Sequence, residues 1–171
     1  MDEIMNIVYK AQVFATAAHA AVKQMRKYTG EPYIVHPAEV VSIVSQYGYT
    51  DEMLAAAWLH DTVEDTGVTQ DVINYEFGPI IGEYVHWLTD QTKPEDGNRA
   101  ARKKMDADRL ALAPPEVQTV KYADLISNTR SIMQHDENFG RIYVKEKTYL
   151  LSVMNKGNPE LYKLALQNIG G

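Results

Sequence analysis

Three short segments of this sequence place histidines and carboxylates where they could share a cation. The first runs Ala55-Ala56-Ala57-Trp58-Leu59-His60-Asp61-Thr62-Val63-Glu64-Asp65-Thr66, an apolar stretch that delivers His60 and Asp61 side by side. Glu64 follows His60 by four positions, and Asp65 follows Asp61 by four. On one helix these spacings gather the groups on a broad face. Carboxylates crowded beside an imidazole repel one another unless a cation sits among them. The plainer alternative is a solvated acidic helix end with His60 packed in the core. The second segment is Tyr33-Ile34-Val35-His36-Pro37. Pro37 suits the first turn of a helix, which would fix the direction of the residue before it. A capping or packed imidazole is the alternative for His36. The third is Val120-Lys121-Tyr122-Ala123-Asp124-Leu125-Ile126-Ser127-Asn128-Thr129-Arg130. Lys121, Asp124 and Asn128 fall on one helix face, while Val117, Val120, Ala123 and Ile126 mark the buried side. Here the alternative is a surface ion pair between Lys121 and Asp124, worth well under about 1 kcal/mol.

Taken together, the segments offer two imidazoles and two carboxylates: His36, His60, Asp61 and Asp124. That set suits one divalent first-row metal such as manganese, iron or zinc, with positions left for water. Glu64 and Asp65 are then spare carboxylates beside the cation, able to orient or deprotonate a water. The chain has no cysteine, so thiolate ligands, disulfides and a cysteine nucleophile are excluded. His19, His86 and His135 are left without a metal role and read as structural or exposed.

The elements that must carry these groups are helices. Apolar residues recur at three and four from Asp2 to Lys27, and Thr29-Gly30-Glu31-Pro32 ends the pattern. Pro37 opens a second helix, Ala38 to Gln46. Thr50 or Asp51 caps a third, which runs to about Glu64. Thr69 begins a fourth, which ends at Gly78-Pro79, and a fifth covers Ile80 to Leu88. Thr89 to Asn98 reads as a loop. Further helices are expected over Arg99 to Leu112, Glu116 to Met133, Arg141 to Met154 and Pro159 to Ile169. No stretch reads as a convincing strand. The expected architecture is all-α, a single compact multi-helix bundle over residues 1–171.

Composition limits the partners. The chain of 171 residues carries 23 acidic and 17 basic side chains, for a net charge of −6. Such a chain has no long-range attraction to nucleic acid or to an anionic membrane, so a polyanion must be met by a local cationic patch or a metal. No basic segment followed by an apolar stretch opens the sequence, and no apolar run is long enough to span a bilayer. The cytoplasm is the default expectation. Oligomeric state is not legible.

His36, His60-Asp61 and Asp124 match the four-residue signature of HD-domain metal-dependent phosphohydrolases. The sequence most resembles the hydrolase domain of RelA/SpoT enzymes, and in particular the stand-alone small alarmone hydrolases, including the animal form. The resemblance is carried by His19 to Lys27, by Gly30-Glu31-Pro32-Tyr33-Ile34-Val35-His36-Pro37, by Leu59 to Thr66, by Phe77-Gly78 and by Val120 to Arg130. It implies an HD-domain fold and an ion, usually manganese, held by His36, His60, Asp61 and Asp124. It places Glu64 and Asp65 on the attacking water. Arg26 and Lys27 would meet guanine and neighbouring phosphates, Asn128 the ribose, and Arg130 the nucleotide nearby. Lys121 is placed by chemistry as a phosphate partner. The implied reaction is hydrolysis of the 3′-pyrophosphate of guanosine tetra- or pentaphosphate to GDP or GTP and pyrophosphate. No residues remain for a synthetase domain, so degradation alone is expected.

Two other functions compete with this one. An HD phosphatase could act on another nucleotide such as NADPH, releasing orthophosphate instead of pyrophosphate. A non-catalytic module could bind the alarmone without cleaving it, although the retained Glu64-Asp65 pair argues against that. Arg99, Arg102 and Lys103 form a further basic patch, read either as a phosphate trap or as a solvated face.

Overall fold

The computed structural model describes residues 6–170. Its helices group into two compact units, Met1–Thr89 and Asp90–Gly171. Among the described residues there is no strand, only an isolated antiparallel bridge between Met25 and Pro32. The all-α expectation holds.

The first unit is organised around one helix that is apolar on every side. It contains α1 (Ile7–Ala21), α2 (Val35–Val44), α3 (Asp51–Leu59), α4 (Thr62–Asp65) and α5 (Gln70–Leu88). All of Met53 to Leu59 in α3 is buried, as expected for a helix without a polar face. Helices α1, α2 and α5 pack against it, and the small side chains Ala55, Ala56 and Ala57 allow that approach from several directions. Thr50 caps α3 by accepting the Met53 amide at 3.2 Å, and Asp51 and Glu52 sit in the positive first turn.

The second unit has a similar logic. It holds α6 (Arg99–Leu110), α7 (Pro115–His135), α8 (Glu137–Val153) and α9 (Pro159–Gly170). Helix α7 is buried over most of Val117 to Thr129, with α8 and α9 packed on it. Two buried polar side chains fix the turn into α9. Gln118 donates to the carbonyls of Leu110 and Ala113 and accepts from the Lys156 amide, while the Tyr122 hydroxyl donates to the Met154 carbonyl at 2.8 Å.

Four boundaries differ from the sequence reading by three residues or more, and three of them affect the site. The first helix was expected over Asp2 to Lys27; its first residues lie outside those described, and it ends at Ala21. Lys23 adopts φ 54°, a left-handed conformation that stops the helix. Arg26 and Lys27 therefore sit in a tight loop. There the Arg26 amide donates to the Glu31 carbonyl at 2.7 Å, and Gly30, at φ 70°, donates back to the Arg26 carbonyl at 3.0 Å. Helix α2 starts at Val35, so His36 lies inside its first turn and Pro37 follows where no intrahelical amide bond is needed. The third helix stops at Leu59, and a single turn, α4, resumes at Thr62. The His60 ring bonds the Ala57 carbonyl at 2.7 Å and the Thr62 hydroxyl bonds the Leu59 carbonyl at 2.8 Å. These side chains compete for carbonyls that a continuing helix would use. The fourth difference is that α8 begins four residues early, at Glu137, where Asp136 accepts the Phe139 amide at 3.1 Å. By contrast, the break expected at Gly78-Pro79 is present inside α5, where Gly78 has φ 86°.

Candidate metal centre

The interruption after α3 puts His60 and Asp61 at a helix junction beside the first turn of α2. His36 and His60 are 1% and 2% exposed. Their rings meet edge-on with centroids 5.3 Å apart. One ligand atom from each of His36, His60 and Asp61 lies within 4.8 Å of the others. His60 Nε2 is 3.1 Å and His36 Nε2 3.8 Å from the same carboxylate oxygen, Oδ2 of Asp61.

The chemistry of these contacts points to a cation. A backbone carbonyl only accepts, so His60 Nδ1 carries the proton that bonds Ala57. In the neutral ring Nε2 is then a bare lone pair aimed at a carboxylate oxygen. Two acceptors at 3.1 Å repel unless a proton or a metal ion joins them. The donor set of imidazole nitrogens with a carboxylate oxygen, buried and held by backbone contacts, fits a divalent first-row metal.

Two neighbours that sequence reasoning left without a role complete this part of the site. Tyr33 donates its hydroxyl to Asp61 Oδ2 at 2.6 Å and packs its ring against His36 and His19. Gln24 donates its amide to Asp65 Oδ2 at 3.2 Å. Tyr33 lies within the Gly30 to Pro37 motif, so a signal for it existed. Gln24 becomes adjacent to Asp65 only through the turn after α1, and nothing in its spacing announces that. Glu64 and Asp65 are both at the surface of α4. Partial burial and then the Asp61 carboxylate push the Asp65 carboxyl above its ordinary range.

Arg26 is buried at 9% exposure and pairs with Glu39 of α2 at 3.0 Å. Lys27 is exposed, with its ammonium 5.3 Å from the centre of the Tyr28 ring. Helix α7 supplies the remaining residues in the second unit. Lys121 bonds Asp124 Oδ2 at 2.8 Å and Asn128 bonds Asp124 Oδ1 at 3.2 Å, so the one-face pattern of the sequence is realised. The pair is not a surface one, because Asp124 is buried. Burial opposes charge on Lys121, but the Asp124 and Asp90 carboxylates outweigh it and raise its pKa. Arg130 points to Asn168 of α9 at 3.3 Å.

Of the basic patch, Arg99 pairs with Glu146 at 2.8 Å and Arg102 bonds the Gly97 carbonyl at 3.1 Å, while Lys103 stands 3.6 Å from Asp90. His86 and His135 are exposed and His19 is buried. Lys147 is pushed down to about 8 by burial and by the nearby Lys121 and Lys103 ammonium groups.

The sequence pattern of the HD domain matches residues 11–150. The chain belongs to the HD domain family. Among curated relatives, a probable GTP pyrophosphokinase of Mycobacterium leprae is 36% identical over 129 residues, covering 75% of this chain and 16% of that protein. GTP pyrophosphokinase rsh of Brucella ovis is 35% identical over 147 residues, covering 83% of this chain and 19% of its own length. The guanosine-3′,5′-bis(diphosphate) 3′-pyrophosphohydrolase of Aquifex aeolicus is 31% identical over 139 residues, 81% of this chain and 20% of that one. This HD domain chain thus spans a fifth or less of those relatives. Among solved structures, one described as a metazoan ortholog of SpoT that hydrolyzes ppGpp superposes with a TM-score of 0.85. It covers 99% of this chain and 96% of that one at 23% identity, and so shares the HD fold. A protein of Listeria monocytogenes matches with a TM-score of 0.69 at 24% identity, over 84% of this chain and 96% of its own.

Proposed function

We propose that this HD domain protein hydrolyses the 3′-pyrophosphate of guanosine tetra- or pentaphosphate. The observation that carries the reading is the convergence of His36 Nε2, His60 Nε2 and Asp61 Oδ2, with the His60 tautomer turning its Nε2 lone pair toward that carboxylate oxygen. The matching stretch of the Aquifex aeolicus relative and the fold of the ppGpp-hydrolysing metazoan protein support the substrate assignment. The HD pattern over residues 11–150 runs through both units, and they act as one domain. Asp124 of α7 supplies the fourth ligand, and manganese is the resident ion. The protein works in the cytoplasm on a small nucleotide, with no nucleic acid or membrane partner. Among the described residues no helix is long and apolar enough to cross a membrane.

When bound, a divalent cation polarises the phosphoryl oxygens and makes a water more acidic, towards a pKa of about 7 at the strongest. The rest of the work belongs to side chains. Glu64 and Asp65, on one exposed turn, take the proton from the attacking water. The water oxygen bonds to the phosphorus on the ribose 3′-oxygen, that phosphorus–oxygen bond breaks, and the 3′-oxygen takes up a proton as pyrophosphate leaves. Arg26 and Lys27 bind guanine and phosphate, Asn128 the ribose, Arg130 the nucleotide beside it, and Lys121 a phosphate oxygen.

The test is turnover of a nucleotide panel with manganese, with the products identified. Pyrophosphate and GDP from guanosine tetraphosphate are expected. Orthophosphate from NADPH with no alarmone turnover would reassign the substrate, and tight alarmone binding without turnover would make the protein a sensor. Asp124→Ala should lose manganese and activity together while helicity persists; full metal occupancy in that variant would remove Asp124 from the ligand set. Glu64→Gln should keep the metal and lose about a hundredfold or more in turnover.

A further inference from the structure

One buried histidine outside the metal set connects to two of the groups that matter. His19 lies in the last turn of α1, is 1% exposed, and has no place in the ligand set. Its Nδ1 lies 2.8 Å from Gln24 Oε1, and Gln24 Nε2 donates to Asp65 Oδ2 at 3.2 Å. The polarity of this chain is fixed from its far end. An ionised Asp65 accepts only, so the Gln24 nitrogen must face it and the Gln24 oxygen must face the ring. His19 therefore carries its proton on Nδ1. Among the described residues its buried Nε2 has no hydrogen-bond partner. The same ring packs on Tyr33 at 4.8 Å, and Tyr33 holds Asp61 through its hydroxyl.

We propose that Gln24 is a positioning residue for Asp65, with His19 as the buried anchor that orients its amide. The inference rests on the proposed role of Asp65 in proton handling. The Gln24 bond holds Oδ2, which leaves Oδ1 of the same carboxylate to meet the water. Asp65 sits on a single helical turn at the surface, and a short exposed turn does not by itself hold a carboxylate to the few tenths of an ångström that proton transfer requires. The link to α1, which packs against α3 and α4, supplies that constraint from the core. Glutamine is suited to the task because it presents one acceptor and one donor at opposite edges of a planar group.

The test compares Gln24→Glu, Gln24→Ala and Asp65→Asn with the wild-type protein, all loaded with manganese, on guanosine tetraphosphate. Gln24→Glu keeps the size and the acceptor for His19 but sets a carboxylate against Asp65. It should lower kcat about tenfold to a hundredfold, with KM and metal content near the wild-type values. In Gln24→Ala combined with Asp65→Asn, the loss should be no greater than in Asp65→Asn alone, because the first residue acts only through the second. His19→Asn, which retains a donor near Nδ1, should recover more of kcat than His19→Leu. Wild-type kcat in Gln24→Glu would overturn the inference while leaving the hydrolase assignment intact. Additive losses in the double variant would do the same. Wild-type kcat in Asp65→Asn would instead remove the role of Asp65 on which the inference stands, and a wild-type protein that hydrolyses no nucleotide would remove the proposed function itself.

Discussion

Replacing Tyr33 with Phe deletes one hydroxyl and nothing else of size. The ring contacts to His19 at 4.8 Å and His36 at 5.7 Å remain, but the bond to Asp61 Oδ2 at 2.6 Å is lost. A hydrogen bond to an ionised carboxylate is worth about 1.5–3 kcal/mol. The Asp61 side chain is 15% exposed, so water replaces part of the missing donor, and the lower end, about 1.5 kcal/mol, applies. The bond exists in the metal-free fold. Its value should therefore appear first as lower stability, about 3–6 °C in Tm for a chain of this length. Metal binding should report only the loss of orientation: Asp61, held less firmly without the hydroxyl, must be re-aimed at the cation when one binds. Partners of this kind are typically worth about 10–100-fold in metal affinity, and the lower end, about tenfold weaker binding of manganese, is expected here. Titration calorimetry at fixed pH on Tyr33→Phe and wild-type protein measures it, with melting of the metal-free forms alongside. Unchanged affinity together with a lowered Tm would show that Tyr33 braces the fold and not the ligand. Unchanged values of both would refute the reasoning.

Two further expectations separate binding from stability. If Arg26 makes the proposed charge-assisted phosphate contact, Arg26→Ala should cost about tenfold to a hundredfold in kcat/KM on the alarmone, while metal content stays constant. It should also lower Tm, since the ion pair with Glu39 is lost; Glu39→Gln should share the lower Tm and keep the kinetics, and wild-type kinetics in Arg26→Ala would place the nucleotide elsewhere. Asp65 has a raised carboxyl pKa, from burial first and then from Asp61, so its stabilising contribution is fully present below the unfolded value of about 4 and is lost as pH rises through the folded one. Metal-free Asp65→Asn should therefore melt higher than wild-type at neutral pH, with no difference near pH 3 and with lower turnover in the loaded enzyme; a lower Tm at neutral pH would contradict the sign.

The candidate metal ligands were legible in the chain because their chemistry is unusual by type. Two imidazoles and two carboxylates in apolar stretches, with no cysteine anywhere, suit a divalent metal, beside plainer uses as caps, packed rings or ion pairs. The all-α class follows from apolar periodicity, and the kink at Gly78 follows from a glycine before a proline. The face shared by Lys121, Asp124 and Asn128 also follows from spacing, because all three lie within one uninterrupted helix.

Tertiary structure decided what depends on the backbone leaving its regular path. The sequence pattern carried the first helix through Arg26 and Lys27, but the left-handed Lys23 ended it and turned both residues into a loop where Arg26 is buried against Glu39. Spacing on a continuous helix put His60, Asp61, Glu64 and Asp65 on one face. In the fold, His60 and Thr62 take backbone carbonyls, the helix breaks, and Glu64 and Asp65 go to a separate turn. The His60 tautomer, Tyr33 on Asp61 and Gln24 on Asp65 are contacts across turns, set by three-dimensional distance. Periodicity reports which face a residue occupies on its own helix. It carries no information about which residue from a neighbouring element will stand opposite, because packing fixes that only after the chain has closed on itself.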